Sequence, residues 1–527
     1  MDLGQNIIST LAELETQRQP LESQWRDCFD LTAPERGQGF YNQTDGYQLD
    51  TSKRAELYDS TGTDSVQMFA SALTSGLTPS NSKWFQLELE GVSTDVLAGA
   101  SRIWLQESSE KMFGAFNSSN FHAVLLEFKK DIAIAGMSGL YIDMDSEGKL
   151  IFEEWPLYNL YVQESQRNRG IDTVYRRMQL TPAQAFNLFG DNIPESAKHC
   201  LETKTKLSET DEYVHCIMPR EGKTRSSEAK LVKNMPFASV YVHVKTKQIV
   251  KESGFNEMPV IIPRWSVIPD TSYAIGPFYK VLPDMKSLNE IQRIYLTNLE
   301  LGISPPLVAD DDGVINPNNI KLGPREVMFK SQNGDIRPLY VAGDLSTADV
   351  AIVRLQTSIR RQMMADQLAG TGQKYDTAQA IMQKQETMRA LFGPLFGRLE
   401  SEYLRPMLER VFGLMYRAGL LGEPPEELLN MDFKPSFTGP HARAQRMERA
   451  NVTMNYVQNL MVLAQTDPTV MDAIDLTKTA LRYGELTGVE QDLIRTQREI
   501  DQLREQRQQQ QQAMAAMQAQ LPPSEAA

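Results

Sequence analysis

The sequence predicts an α+β chain of several domains, and three observations carry that expectation. Residues 1 to about 135 keep a helical period, and residues 139 to 265 drop to a period of two. Two helices of similar length then flank a turn-rich insert of about forty residues. Short strands grouped apart from helices indicate a mostly antiparallel sheet region rather than alternating βαβ units. The chain has 527 residues, 41% hydrophobic and 23% charged, an ordinary globular composition. At about 100–200 residues per domain, two to four domains are expected.

The elements follow in order. STGTDSVQMFASALTSGLTPS places Val66, Phe69, Ala70, Leu73 and Leu77 at helical spacing, with Gly76 and Pro79 as the stop. FHAVLLEFKKDIAIA is a second amphipathic run, punctuated by Gly136. LYIDMD, LIFEEW, LYVQES, DTVYRRMQL, EYVHCIM, SVYVHV and VIIPRW are short runs rich in β-branched and aromatic residues. Among them, Thr181 and Pro182 mark the cap and first residue of a short helix.

Pro283 and Asp284 are expected to start a helix to about Leu301, with Leu288, Ile291, Tyr295 and Leu299 on one stripe. It would span roughly 28 Å. A turn-rich insert follows. The next helix opens with Ser346 and Asp349 as a capping box and carries Ala348, Ile352, Leu355, Ile359 and Met363 as its stripe. LAGTGQKYDTAQA, residues 368 to 380, leads into a third helical run over 377 to about 418, with kinks expected at Gly393-Pro394 and Pro406. A small helical region runs to about 490. In the Gln-rich end, Leu493, Ile500 and Leu503 hint at heptads, but the seam degrades to Arg507 and Gln510, so a helix and a disordered tail both fit.

Several kinds of chemistry are excluded by spacing. The Gly370, Gly372, Lys374 loop resembles a phosphate cradle, but Gln373 separates Gly372 from Lys374, Tyr375 follows, and no strand precedes it. His199-Cys200 and His215-Cys216 are adjacent pairs, whereas zinc sites favour two-to-four-residue spacers. Neighbours on a strand point to opposite faces, so a buried Cys on a strand is the simpler expectation. DDDG, from Asp310, lacks the third calcium ligand where Val314 stands and fits an acidic turn. GMSGL has Leu140 where a nucleophile elbow needs Gly. No catalytic set, metal ligands or cofactor motif emerges, and no enzyme is expected.

A net charge of -14 argues against gripping nucleic acid through the overall field, though not against handling it. Three cysteines form no framework, which points to a reducing compartment. MDLGQNIIST has no signal-peptide pattern, and the most apolar stretch, IAIAGMSGLYI, is too short for a bilayer, so no membrane partner is expected.

ELYDSTGTDSVQMFASALTSGLTPSNSKWFQLEL (residues 56 to 89), YAIGPFYKVLPDMKSLNEIQRIYL (Tyr273 to Leu296) and YDTAQAIMQKQE are each only moderately specific, but their order along the chain suggests a family. The chain resembles the portal proteins, or head-to-tail connectors, of short-tailed, podovirus-type bacteriophages, to about residue 490. The resemblance implies a wing over 1–276, a stem helix over 277–303, a small α/β clip over 304–344 and a second stem helix over 345–368. A tunnel loop at 369–376, a kinked wing helix at 377–420, a helical crown at 421–490 and a Gln-rich tail at 491–527 follow. The tail departs from the family pattern, which leaves a helical barrel there open.

The implied assembly is a homo-oligomeric, dodecameric ring at one vertex of the viral head. Double-stranded DNA enters through its channel, driven by a separate terminase large subunit, and is later ejected. A tail adaptor would dock at the clip, and major capsid and scaffolding proteins would be further partners. Such a protein works in the virion, after assembly in the host cytoplasm. On this reading Gly370, Thr371, Gly372, Gln373, Lys374 and Tyr375 form the tunnel loop, with glycine freedom behind a polar tip. Arg354, Arg360 and Arg361 are candidates for lining the channel. Leu288, Ile291, Tyr295, Ile352, Leu355 and Ile359 are candidates for seams within the helix pair and between subunits; the residues alone fit an ordinary intramolecular hairpin equally well. The alternatives are a structural helical adaptor or scaffold without a DNA role, and a nucleotide-using enzyme.

Overall fold

The computed structural model describes residues 3–41, 52–80, 83–87, 99–165, 170–220, 234–303, 307–309, 336–338, 345–364, 397–428, 440–465, 467–487, 500 and 502–511. Helices and antiparallel sheets are segregated, so the chain is α+β. A long helix, α1 (Leu3–Asp30), is followed by the one-turn helices α2 (Pro34–Gly37) and α3 (Ser52–Ala55), then by α4 (Thr61–Leu77), α5 (Gly99–Ser118) and α6 (Phe121–Ala135). The α4 stripe of Val66, Phe69, Ala70, Leu73 and Leu77 is buried as its spacing required. Gly76 does not stop the helix, which runs one residue further to a cap at Thr78. Gly136 does end α6, at φ 90°.

Five strands make one antiparallel meander in the order β3-β4-β5-β6-β7, from β3 (Leu160–Gln163), β4 (Thr173–Leu180), β5 (Asp211–Pro219), β6 (Phe237–His243) and β7 (Ile249–Phe255). Between β4 and β5 stand α7 (Pro182–Phe189) and α8 (Glu195–Thr203). A second antiparallel sheet has the order β2-β1-β8, from β1 (Gly139–Met144), β2 (Leu150–Trp155) and β8 (Val260–Ile261). A short pair joins β9 (Ser266–Val267) to β10 (Ala274–Ile275).

The period-two pattern decides what each face of the meander holds. On β5, Val214 and Cys216 face a core built with Ile7, Leu11 and Leu14 of α1. Tyr213, from the alternate set, faces α7 and α8. His215 shares that side, stacked on Tyr241 at 3.9 Å and hydrogen-bonded through Nε2 to Ser239 at 2.8 Å. Burial pushes its pKa down to about 3, so it is neutral. His199 and Cys200 lie on α8 rather than on a strand. Thr181 caps α7, with its side chain on the Gln184 N–H and the Gln184 side chain returned to the Thr181 N–H. Sequence reading missed the short pair β9/β10 and, in the meander, β7, IVKESGF. β7 is an edge strand, where charged and small residues block further pairing, so its pattern is mostly polar.

Two arginines join these layers. The Arg18 guanidinium of α1 is fully buried; it donates to the carbonyls of Leu157 (2.9 Å), Leu160 (2.7 Å) and Tyr158 (3.1 Å), and lies 3.8 Å from the Tyr161 ring centroid. Arg36 of α2 holds three carboxylates, Glu127 at 2.8 Å, Asp131 at 2.7 Å and Glu154 at 2.5 Å. Burial and the neighbouring Asp131 raise the Glu154 carboxyl well above its ordinary range, and Arg36 offsets only part of this. A raised carboxyl pKa stabilises the fold below the unfolded value and loses that contribution as pH rises through the folded one. The expected result is that Glu154→Gln flattens the decline of the melting temperature between pH 5 and about 9. Thermal melts across that range check it, and a parallel decline in both proteins contradicts it.

Candidate functional site

The helices expected around the insert are α9 (Phe278–Ile303) and α10 (Ser346–Gln362). The chain reaches α9 by crossing the end of α6. A Cβ on Gly276 would stand 2.6 Å from the Ile134 carbonyl oxygen and 2.7 Å from that of Ala133, and a Cβ on Gly136 would enter the Ile275 carbonyl. Only glycine at both positions lets the backbones approach so closely. The helix starts at Phe278, five residues before Pro283, which sits inside it. A proline in the second turn removes one N–H but does not end a helix anchored on both sides. Phe278, Val281, Leu282, Met285 and Leu288 are buried, in a helix that packs on α1 and α6. Beyond Leu288 no residue of α9 is fully buried.

Leu345 stands at the N-cap of α10 with no side-chain capping bond, so the expected Ser346–Asp349 box is not formed; Ser346 is already helical. Asp349 instead accepts from the Tyr295 hydroxyl on α9, which raises that phenol's pKa. At the other end, Ser358 and Gln362 donate to Asp284 at 3.2 and 2.9 Å. Residues 349 and 358–362 thus meet 295 and 284, and the helices run antiparallel.

The loop 56–60 and the start of α4 grip both helices. Asn289 of α9 donates to the Glu56 carbonyl (3.0 Å) and accepts from the Tyr58 N–H (2.7 Å). Gln356 of α10 donates to Asp59 (2.8 Å), whose other oxygen accepts from the Thr61 N–H (2.8 Å) at the start of α4. Sequence reasoning missed the partners of Asn289, Gln356 and Asp59 and gives Asp284 only as a helix start, because polar side chains on helices and loops carry no periodic signal. Asn289→Ala and Gln356→Ala should each lower stability by about 1–2 kcal/mol, the net value of one or two lost hydrogen bonds. Urea unfolding measures this, and unchanged midpoints in both would contradict the clamp.

Of the packing candidates, Leu288, Ile352 and Ile359 are buried and Ile291, Tyr295 and Leu355 partly buried, all in the main core of the single chain. They lie on the buried side of α9 and α10, which pack against each other and on α1, α4 and α6. Other apolar side chains stay exposed: Ile294 (46%), Leu296 (42%) and Ile303 (84%) on α9, Val350 (69%) and Val353 (60%) on α10. At about 100° per residue, Ile294 lies about 180–200° round the axis from Leu296 and Ile303, so both flanks of α9 carry apolar groups. The signal for these was available as apolar residues off the main stripe.

Arg354, Arg360 and Arg361 are exposed, and none has an ion pair among the described residues. Arg354 and Arg361, seven residues apart, share one line along the helix, with Arg360 about 100° away. Of the insert, the structure describes the pairing of β11 (Leu307–Ala309) with β12 (Ile336–Pro338). Asp310 to Gly313, Gly370, Thr371, Gly372, Gln373, Lys374, Tyr375, Gly393 and Pro394 lie outside the described residues. No described helix is long and apolar enough to cross a membrane.

Of the expected third helical run the structure describes one helical turn from residue 397, a π turn over Glu400–Leu404 and α11 (Arg405–Arg417). The kink expected at Pro406 is thus marked by a wider turn just before it. The remaining helices are α12 (Pro440–Ala464) and α13 (Leu476–Thr487).

A family model described as "Bacteriophage head to tail connecting protein" matches residues 4–494. The "Portal protein" of Salmonella phage epsilon15 is 28% identical over 97% of this chain and 92% of its own length. The "Probable portal protein" of Bordetella phage BPP-1 is 26% identical over 98% of this chain and 92% of its own length. A solved chain in "Neck of empty GTA particle computed with C6 symmetry" covers 78% of this chain and 92% of its own length, at 12% identity and a TM-score of 0.33, too low to carry an argument.

Proposed function

The chain belongs to the bacteriophage head to tail connecting protein family and is a viral portal protein by that membership, and we propose that twelve copies close into a ring whose bore passes double-stranded DNA. It is a component of the virion at the junction of head and tail, with capsid and tail proteins as its neighbours. The finer reading gives 1–276 to the wing, α9 and α10 to the stem, 304–344 to the clip that meets the tail adaptor and the terminase, 369–376 to the tunnel loop, 377–420 to the wing helix and 421–490 to the crown. Assembly takes place in the host cytoplasm on scaffolding and major capsid proteins.

The observation that supports this best is the antiparallel pair α9/α10, rooted at its base and apolar on both flanks. A ring needs a head-to-tail contact between two different patches of one protomer. Opposite flanks of one helix pair supply two such patches. The net charge of -14 suits a conduit, since each phosphate neutralised adds salt-dependent affinity that would hold the duplex in place. Arg354, Arg360 and Arg361 are proposed to meet the passing backbone as sparse contacts, and the Gln373–Lys374–Tyr375 tip to touch DNA at the narrowest point. The terminase motor supplies the driving force, and the portal hydrolyses nothing. A structural adaptor without a DNA role is not favoured by the family match.

Deleting residues 371–375 tests the DNA contact. Rings should still form in negative-stain images while genome retention in packaged heads falls. Unchanged packaging and retention would remove the tunnel loop from this account, and a chain that stays single at micromolar concentration would remove the ring.

A further inference from the structure

The π turn at Glu400–Leu404 interrupts a helix that is otherwise well anchored. Leu399, Tyr403, Leu404, Met407 and Leu408 are all buried, so loose packing does not explain it. Within the turn the Arg405 N–H reaches the Glu400 carbonyl, five residues back, and Pro406, which has no N–H, leaves the Glu402 carbonyl without an α-helical donor. The helix therefore carries one residue more than an α ladder needs.

A single arginine holds the π turn in place through Glu402. Arg264, which follows β8 and is 7% exposed, approaches Glu402 through its backbone N–H (3.1 Å), Nε (3.1 Å) and Nη2 (2.9 Å), while Nη1 pairs with Glu164 at 2.5 Å. The next residue, Trp265, accepts from Arg398 at 3.3 Å, on the N-terminal side of the turn, and donates its own N–H to the Gly136 carbonyl at 2.7 Å. Gly136 is where the chain entering α9 crosses α6. The grip on the π turn is thus continuous, through two residues, with the root of the helix pair.

We propose that the π turn is a hinge with two hydrogen-bond registers, and that the Arg264–Glu402 fork is the latch that holds it in the wider one. Release of the fork lets the ladder shift by one residue, which rotates residues 397–399 by about 100° relative to α11. The fork is charge-assisted and bidentate, so it is the strongest polar tie on the turn. Glu164 competes for the same guanidinium and keeps Arg264 paired while Glu402 lets go, so the open state strands no buried charge.

Hydrogen exchange of the full-length assembled protein tests this with two variants. Glu402→Gln keeps the side-chain shape but weakens the fork. It should speed exchange of the amides in 398–405 at least about 10-fold, in a manner independent of low denaturant, as local opening requires. Amides of β5, β6 and the end of α11 should be unchanged. Deleting Ser401 removes the extra residue and should slow exchange across the same segment in the Glu402→Gln background. The proposal is overturned if Glu402→Gln leaves 398–405 unchanged, or if acceleration spreads equally through the sheet amides and follows denaturant. Should the deletion fail to fold, Arg264→Lys, which loses the fork but keeps the charge, must reproduce the effect of Glu402→Gln; no acceleration there also overturns it.

Discussion

Ile294→Asp combined with Ile303→Asp leaves the protomer folded and abolishes ring assembly. The two side chains are 46% and 84% exposed in the single chain, so aspartate at either position meets water and costs the isolated fold little. In the proposed ring, each flank is the surface that would face a neighbour. Burying one isoleucine contributes about 1.5–3 kcal/mol, and an unpaired carboxylate in its place adds a desolvation penalty. Each protomer loses both of its contacts, and closure requires every contact around the ring. Light scattering after size exclusion should show a shift from a large assembly to single chains, with an unchanged melting temperature of the protomer. Asp at the buried Ile359 is the control, since it should unfold the pair itself. Rings that persist in the double variant would place the subunit contact elsewhere.

Gly136→Ala should cost about 2–6 kcal/mol and sharply reduce the yield of soluble protein. Two terms add. Gly136 sits at φ 90°, where an L side chain is strained. Its added Cβ would also enter the Ile275 backbone, which cannot move without displacing the start of α9. Gly276→Ala should act through the same crossing, with carbonyls at 2.6 and 2.7 Å, but without the conformational term. The order of melting temperatures is therefore wild type, then Gly276→Ala, then Gly136→Ala. A Gly136→Ala protein as stable as wild type would mean that the crossing relaxes freely.

Much of this architecture was legible in the chain. The α4 stripe, the Gly136 stop, the Thr181 cap and seven of the strands follow from spacing that each segment carries alone. The errors have physical causes. Pro283 looks like a helix start because proline favours the first turn, yet tertiary contacts of Phe278, Val281 and Leu282 extend the helix ahead of it. Ser346 and Asp349 have the capping-box spacing, yet the helix starts one residue earlier and Asp349 is drawn to Tyr295 on the partner helix. β7 was hidden because an edge strand has no need of a hydrophobic pattern.

The sequence by itself determined the α+β class, two antiparallel rods around an insert, and a family. Those depend on periodicity and order, which are properties of one segment at a time. The structure decided which side of each rod is spent within the chain: Leu288, Ile352 and Ile359 face inward, while Ile294, Ile303, Val350 and Val353 are left over. It also decided that Asn289, Gln356, Arg264 and Glu402 hold the rods and the π turn in place. A polar side chain gains meaning only from the partner it meets, and partners 138 or 297 residues away leave no trace in local spacing.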